Sequence, residues 1–164
     1  MRRGEKGILI VMAVMVGGAM IKNVIGDLSV NRQRDREIPF YSTMSQAEGE
    51  KALRMMDENH CKDCHYLWGT NASIMQNVPA PRLDGIGSIR DEKWFYDYLS
   101  AKNPQSILPS RLKKEFQMPS FANLPDADRK EMANYLASLK VKNWYLTETR
   151  KDEYEKLTGK TYQP

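Results

Sequence analysis

Cysteine and histidine are scarce in this chain of 164 residues: there are two of each, and all four fall between His60 and His65. A disulfide between Cys61 and Cys64 would close a loop too short to stabilise much. Four zinc ligands crowded into six residues cannot easily surround a tetrahedral ion, and no second ligand pair exists elsewhere in the sequence. Alternating strand and helix patterns are missing too, which removes the frame that a thioredoxin-type C-x-x-C couple needs. An excess of one charge is also absent: 25 Lys and Arg stand against 21 Asp and Glu, net +4, spread along the chain. No basic stripe interleaves with the aromatic residues, so nucleic acid is not an expected partner.

What is present is Cys61-Lys62-Asp63-Cys64-His65. The C-x-x-C-H pattern reads as covalent attachment of one haem c. Two thiols at this spacing can each form a thioether to one edge of a porphyrin, and the next residue then lies beneath the iron, where an imidazole can bind it. Cys61 and Cys64 are therefore the expected covalent attachment points and His65 the expected axial iron ligand. His60, beside Cys61, is sterically unsuited to the far side of the iron and reads as a surface or hydrogen-bonding residue.

The single long apolar run, Ile8 to Ile21, follows Arg2, Arg3 and Lys6. It predicts an N-terminal membrane anchor over residues 1–26, lengthened past Lys22 if that side chain snorkels, or a signal segment cleaved after Ala19. The positive-inside rule holds the amino end in the cytoplasm, and haem is attached to this motif on the outer side of energy-transducing membranes. The expected placement is a single pass through a bacterial inner membrane with the haem domain in the periplasm and the membrane as a partner.

Residues 27–44 are polar and charged and read as a tether. Ser45-Gln46-Ala47-Glu48 matches a capping box and predicts a helix from Ser45 to Asn59 that delivers the chain to Cys61. From Tyr66 to Arg90 glycine and proline predict a loop that wraps the porphyrin. Asp91 then opens a helix whose Trp94, Phe95, Tyr98 and Leu99 form an aromatic face for packing, ended by Asn103-Pro104. A second irregular stretch carries Met118 before Pro119, a proline-braced thioether and the expected second axial ligand, with Met75 and Met44 as rivals in loops. Asp126 is expected to cap the last strong helix, with Met132, Tyr135, Leu136 and Leu139 at helical spacing. Residues 142–164 show no clear core face and read as a tail that hugs the domain or is ordered by a partner protein.

Gly49, the Cys61 to His65 motif, Pro81-Arg82-Leu83-Asp84-Gly85-Ile86-Gly87, Met118-Pro119-Ser120-Phe121 and Ala133-Asn134-Tyr135-Leu136 together resemble the class I cytochrome c family over Ser45 to Val141. The resemblance implies an all-α haem domain over 45–141, here preceded by one N-terminal transmembrane helix. It implies that Pro81 offers its carbonyl to the outer nitrogen of His65, and that Gly49 and Tyr135 sit where two helices cross. Pro81, Leu83, Trp94 and Tyr98 are the expected haem pocket. The implied activity is outer-sphere electron transfer, not catalysis by the chain alone. The expected setting is a respiratory chain, as a subunit or relay of a membrane oxidoreductase complex. The alternatives are a free tethered carrier, or a haem sensor with a labile sixth ligand. Lys62, Lys93, Arg111, Lys113 and Lys114 are candidates for steering an acidic redox partner.

Overall fold

The computed structural model describes residues 38–68 and 77–163. From Pro39 onward the chain forms one compact unit, and a separate unit, Met1–Ile38, lies outside the described residues except for Ile38. The first helix, α1 (Gln46–Glu58), starts on Ser45, whose side chain accepts from the Glu48 N–H while the Glu48 carboxylate accepts from the Ser45 N–H. This closed capping box satisfies donors that a helix start otherwise leaves open. A single turn, α2 (Cys61–Cys64), follows, and α3 (Glu92–Ser100) begins on Asp91, which accepts from the Trp94 N–H at 2.7 Å. The longer α4 (Asp126–Ser138) packs across α1 and alongside α3, burying Met132, Ala133, Tyr135 and Leu136. Met56 of α1 and Met132 of α4 are the largest side chains fully buried in the core.

The fold is mostly helical rather than all-α. Strand β1 (Phe40–Ser42) pairs antiparallel with β2 (Leu139–Val141), Phe40 opposite Val141 and Ser42 opposite Leu139. The strand lies within the stretch expected to be a tether, and its partner takes over where α4 ends. Helix α5 (Leu146–Thr158) then occupies the tail and ends on Gly159 in the left-handed conformation, φ 70°. Gly85, φ 76°, lets both additions pack close: a Cβ there would lie 2.7 Å from the Val141 Cβ and 3.3 Å from the Thr149 Cγ2.

Among the described residues no helix is long and apolar enough to cross a membrane. The longest run for 13 residues, whereas a span needs about 20 predominantly apolar ones. Against expectation, the architecture of the described residues includes no transmembrane helix; residues 1–26, to which it was assigned, lie outside them. The single-pass inner-membrane placement and the membrane as a partner rested on that helix and are not supported, nor is the periplasmic haem domain, which drew on the helix together with the haem motif.

Candidate haem site

Backbone geometry at the end of α1 aims the motif. Asn59 closes the helix, its side-chain amide donating to the Met55 carbonyl at 2.8 Å. His60 then takes the left-handed conformation, φ 59°, which turns the chain into α2. It is the one non-glycine residue with positive φ among those described, and its ring stays at the surface beside Asp63. His65 leaves α2 in extended conformation, its N–H donating to the Cys61 carbonyl at 3.1 Å. Cys61, Cys64 and His65 thereby line one cleft of about 600 Å³ with Met118.

The imidazole of His65 is fixed by its outer nitrogen, since Nδ1 lies 2.7 Å from the Pro81 carbonyl oxygen. A carbonyl can only accept, so Nδ1 carries the proton and Nε2 keeps a lone pair for a metal. Burial lowers the imidazole's affinity for a second proton, against the opposing pull of the Pro81 bond, which keeps that lone pair available. Burial pushes the Cys61 thiol up to about 11, and burial with the nearby Asp63 carboxylate raises Cys64 as well, so both sulfurs hold their protons at neutral pH.

Met118 comes from the proline-braced loop, which is held at several points. The Gln105 amide donates to the Met118 carbonyl at 2.9 Å, the Gln117 amide to Leu112 at 2.8 Å, and the Ser120 hydroxyl to Ala101 at 2.7 Å. A second, mostly apolar cavity of about 130 Å³ shares His65 and Met118 with the cleft and is lined by Pro81, Leu83, Trp94 and Tyr98. Trp94 and Tyr98 stack there with centroids 5.0 Å apart. The structure thus brings Cys61, Cys64, His65 and Met118 to one opening, and the four expected pocket residues to the cavity behind it. Met44 packs on the core instead, and Met75 lies outside the described residues.

The donor set fits a c-type haem: two thiols at one edge, an imidazole with a free lone pair, a thioether from another segment, and apolar walls. The sequence model of the family described as cytochrome c matches residues 47–140, more than half of the chain. The chain belongs to the cytochrome c family. No curated protein and no solved structure matches it. As a cytochrome c domain it has a c-type haem attachment site at Cys61 and Cys64, and by itself it is an electron carrier rather than an enzyme.

Several residues around this cytochrome's cavity escape sequence reasoning. Gln105 is one, because nothing local marks its side chain as the brace of a loop 13 positions away. Glu153, Lys156 and Leu157 of α5 also line the smaller cavity, although their helix follows the family match. Asp84, next to the pocket residue Leu83, is buried; its Oδ1 accepts from the Trp68 N–H at 2.7 Å, while Oδ2 has no partner among the described residues. Of the cations considered for steering, Lys62 pairs with Asp57 and Lys93 with Asp97, and Lys114 lies at the rim of the cleft.

Proposed function

We propose that this chain passes single electrons between redox partners through one haem c, held covalently by Cys61 and Cys64 and axially by His65 and Met118. The observation that carries the reading is the convergence of those four side chains on one cleft, with the outer nitrogen of His65 already committed to Pro81. Bound there, the haem supplies an iron that exchanges one electron between its ferric and ferrous states. Cys61 and Cys64 tether the cofactor through thioethers, so it is not lost on unfolding. His65 presents a neutral imidazole whose orientation the Pro81 carbonyl maintains. Met118, a soft thioether, favours the ferrous state and raises the potential. Pro81, Leu83, Trp94 and Tyr98 keep water from the cavity, which limits reorganisation as the charge changes.

His65 and Met118 would between them hold the iron from two segments of the chain, which suits electron transfer rather than binding of a substrate to the metal. A redox partner would approach at the cleft that Cys61, Cys64, Lys114 and Gln117 line. Two measurements test the reading together. Denaturing mass spectrometry should find the chain plus one haem, with the added mass gone in the Cys61→Ser, Cys64→Ser variant. Mediated redox titration should follow a reversible one-electron curve. A chain that loses haem on denaturation, or a titration with no reversible couple, would contradict it.

A further inference from the structure

The two cavities that meet at His65 and Met118 differ at their outer ends. Cys61 and Cys64 line only the larger cleft, whereas Lys156, Glu153 and Leu157 of α5 line only the smaller cavity. Thioethers form at one edge of the porphyrin, and its two carboxylate side chains lie on the opposite edge. A haem attached at Cys61 and Cys64 therefore points its carboxylates away from them, toward the end that α5 closes.

Charges at that end are arranged for an anion. Glu153 is neutralised within the protein, its carboxylate 3.1 Å from the Arg90 guanidinium, and Arg90 in turn lies 4.8 Å over the Trp94 ring. Arg90 also keeps a buried Nε donor without a partner among the described residues. Lys156 is half-buried against the cavity, yet it has no hydrogen-bond or ion-pair partner among the described residues. An ammonium at the edge of an apolar wall, with no carboxylate paired to it, is placed to receive an anion. The nearby carboxylates are engaged elsewhere: Glu153 pairs with Arg90, Asp152 accepts from the Arg82 N–H and Glu155 from the Tyr162 N–H, and none of them pairs with Lys156.

We infer that α5 is a built-in wall of the haem pocket and that Lys156 is the counter-ion of a haem carboxylate. The inference rests on the haem placement proposed above. It gives the segment beyond residue 140 a task in holding and tuning the cofactor: a cation at this edge favours the ferrous state, whose net charge is lower by one. Lys156 acts here as a positioning residue for the haem and does not touch the iron.

The test compares the holo-protein with Lys156→Gln and Lys156→Arg, each first assayed for covalent haem. At the wild-type midpoint potential, Lys156→Gln should move the ferric-to-ferrous ratio toward ferric by roughly threefold to tenfold, the range for one charge screened at a half-buried site. The resonance Raman band of the haem carboxylate side chains should shift in the same variant. Lys156→Arg, which keeps the charge, should restore both readings. An unchanged ratio and band in Lys156→Gln would overturn the inference, as would a changed ratio with an unchanged band, because the lysine would then act without contact. Wild-type protein without covalent haem would overturn the haem placement itself, an outcome distinct from intact haem indifferent to Lys156.

Discussion

The helices that cross at Gly49 and Tyr135 and the segments that wrap them are held together by different forces. At the crossing, shape decides. A Cβ on Gly49 would make ordinary contact with the Tyr135 ring at 3.8 Å, whereas in the turn beside the end of α4 a Cβ on Gly87 would stand 2.2 Å from the Ala137 carbonyl oxygen. Around the outside, polar ties decide. Strand β1 is held by its short ladder to β2 and by the Ser42 and Ser138 hydroxyls 2.9 Å apart. Helix α5 buries only Thr149 and is tied by Asp152 to the Arg82 N–H at 3.2 Å and by Glu153 to Arg90. The core cannot yield without displacing backbone, whereas the wrap can be released one tie at a time.

The sharpest way to break the core side of this contrast is Gly87→Ala. The clash is with the backbone of α4, which no rotamer relieves, so the holo-protein should lose about 3 kcal/mol in denaturant unfolding. A loss below about 1 kcal/mol would mean that α4 slides freely past this turn. On the wrapping side, Glu153→Ala removes the partner of a guanidinium that is largely buried. It should cost about 2 kcal/mol and raise proteolysis of α5 before the core unfolds. Uniform protection of α5 and the core would erase the distinction. Ser45→Ala opens the capping box of α1 and should cost about 1 kcal/mol in the same unfolding assay, with the haem spectrum unchanged.

The smallest effect concerns the seam between core and wrap. Asp84 is raised above its ordinary value of 3.8 chiefly by burial, with the Trp68 N–H opposing the shift. The native state therefore keeps a proton that the unfolded chain has already released. Stability is greatest below the unfolded value and declines as pH climbs from there through the raised native value. Asp84→Asn should flatten that decline, measured as unfolding midpoints across a pH series. Parallel curves for the two proteins would show that the carboxyl is solvated in the native state.

What the sequence reveals follows the range of the interactions involved. The capping box at Ser45, the Asp91 cap and the haem motif are built from neighbours, so their side chains announce the structure they make. The Met118 loop is legible because proline braces it. By contrast, β1 has only Phe40, Tyr41 and Ser42, and exists because α4 delivers β2 beside it. Helix α5 presents Glu153, Lys156 and Leu157 to the cavity amid charged neighbours, leaving no apolar stripe to find. Asp126, expected as a cap, lies inside the first turn of α4, after Pro125, with its carboxylate taken up by Tyr96, Lys130 and Arg129. Distant partners decided the first two, and Pro125 together with both local and distant partners decided the third.

The central claim is that Met118 completes the iron's coordination opposite His65, and the ferric absorption spectrum tests it most directly. Wild-type holo-protein should show the charge-transfer band of methionine-bound ferric haem, and Met118→Ala should lose it while keeping the covalent haem. A band that survives the substitution, or that the wild type never shows, would contradict the account and leave the sixth position to another ligand.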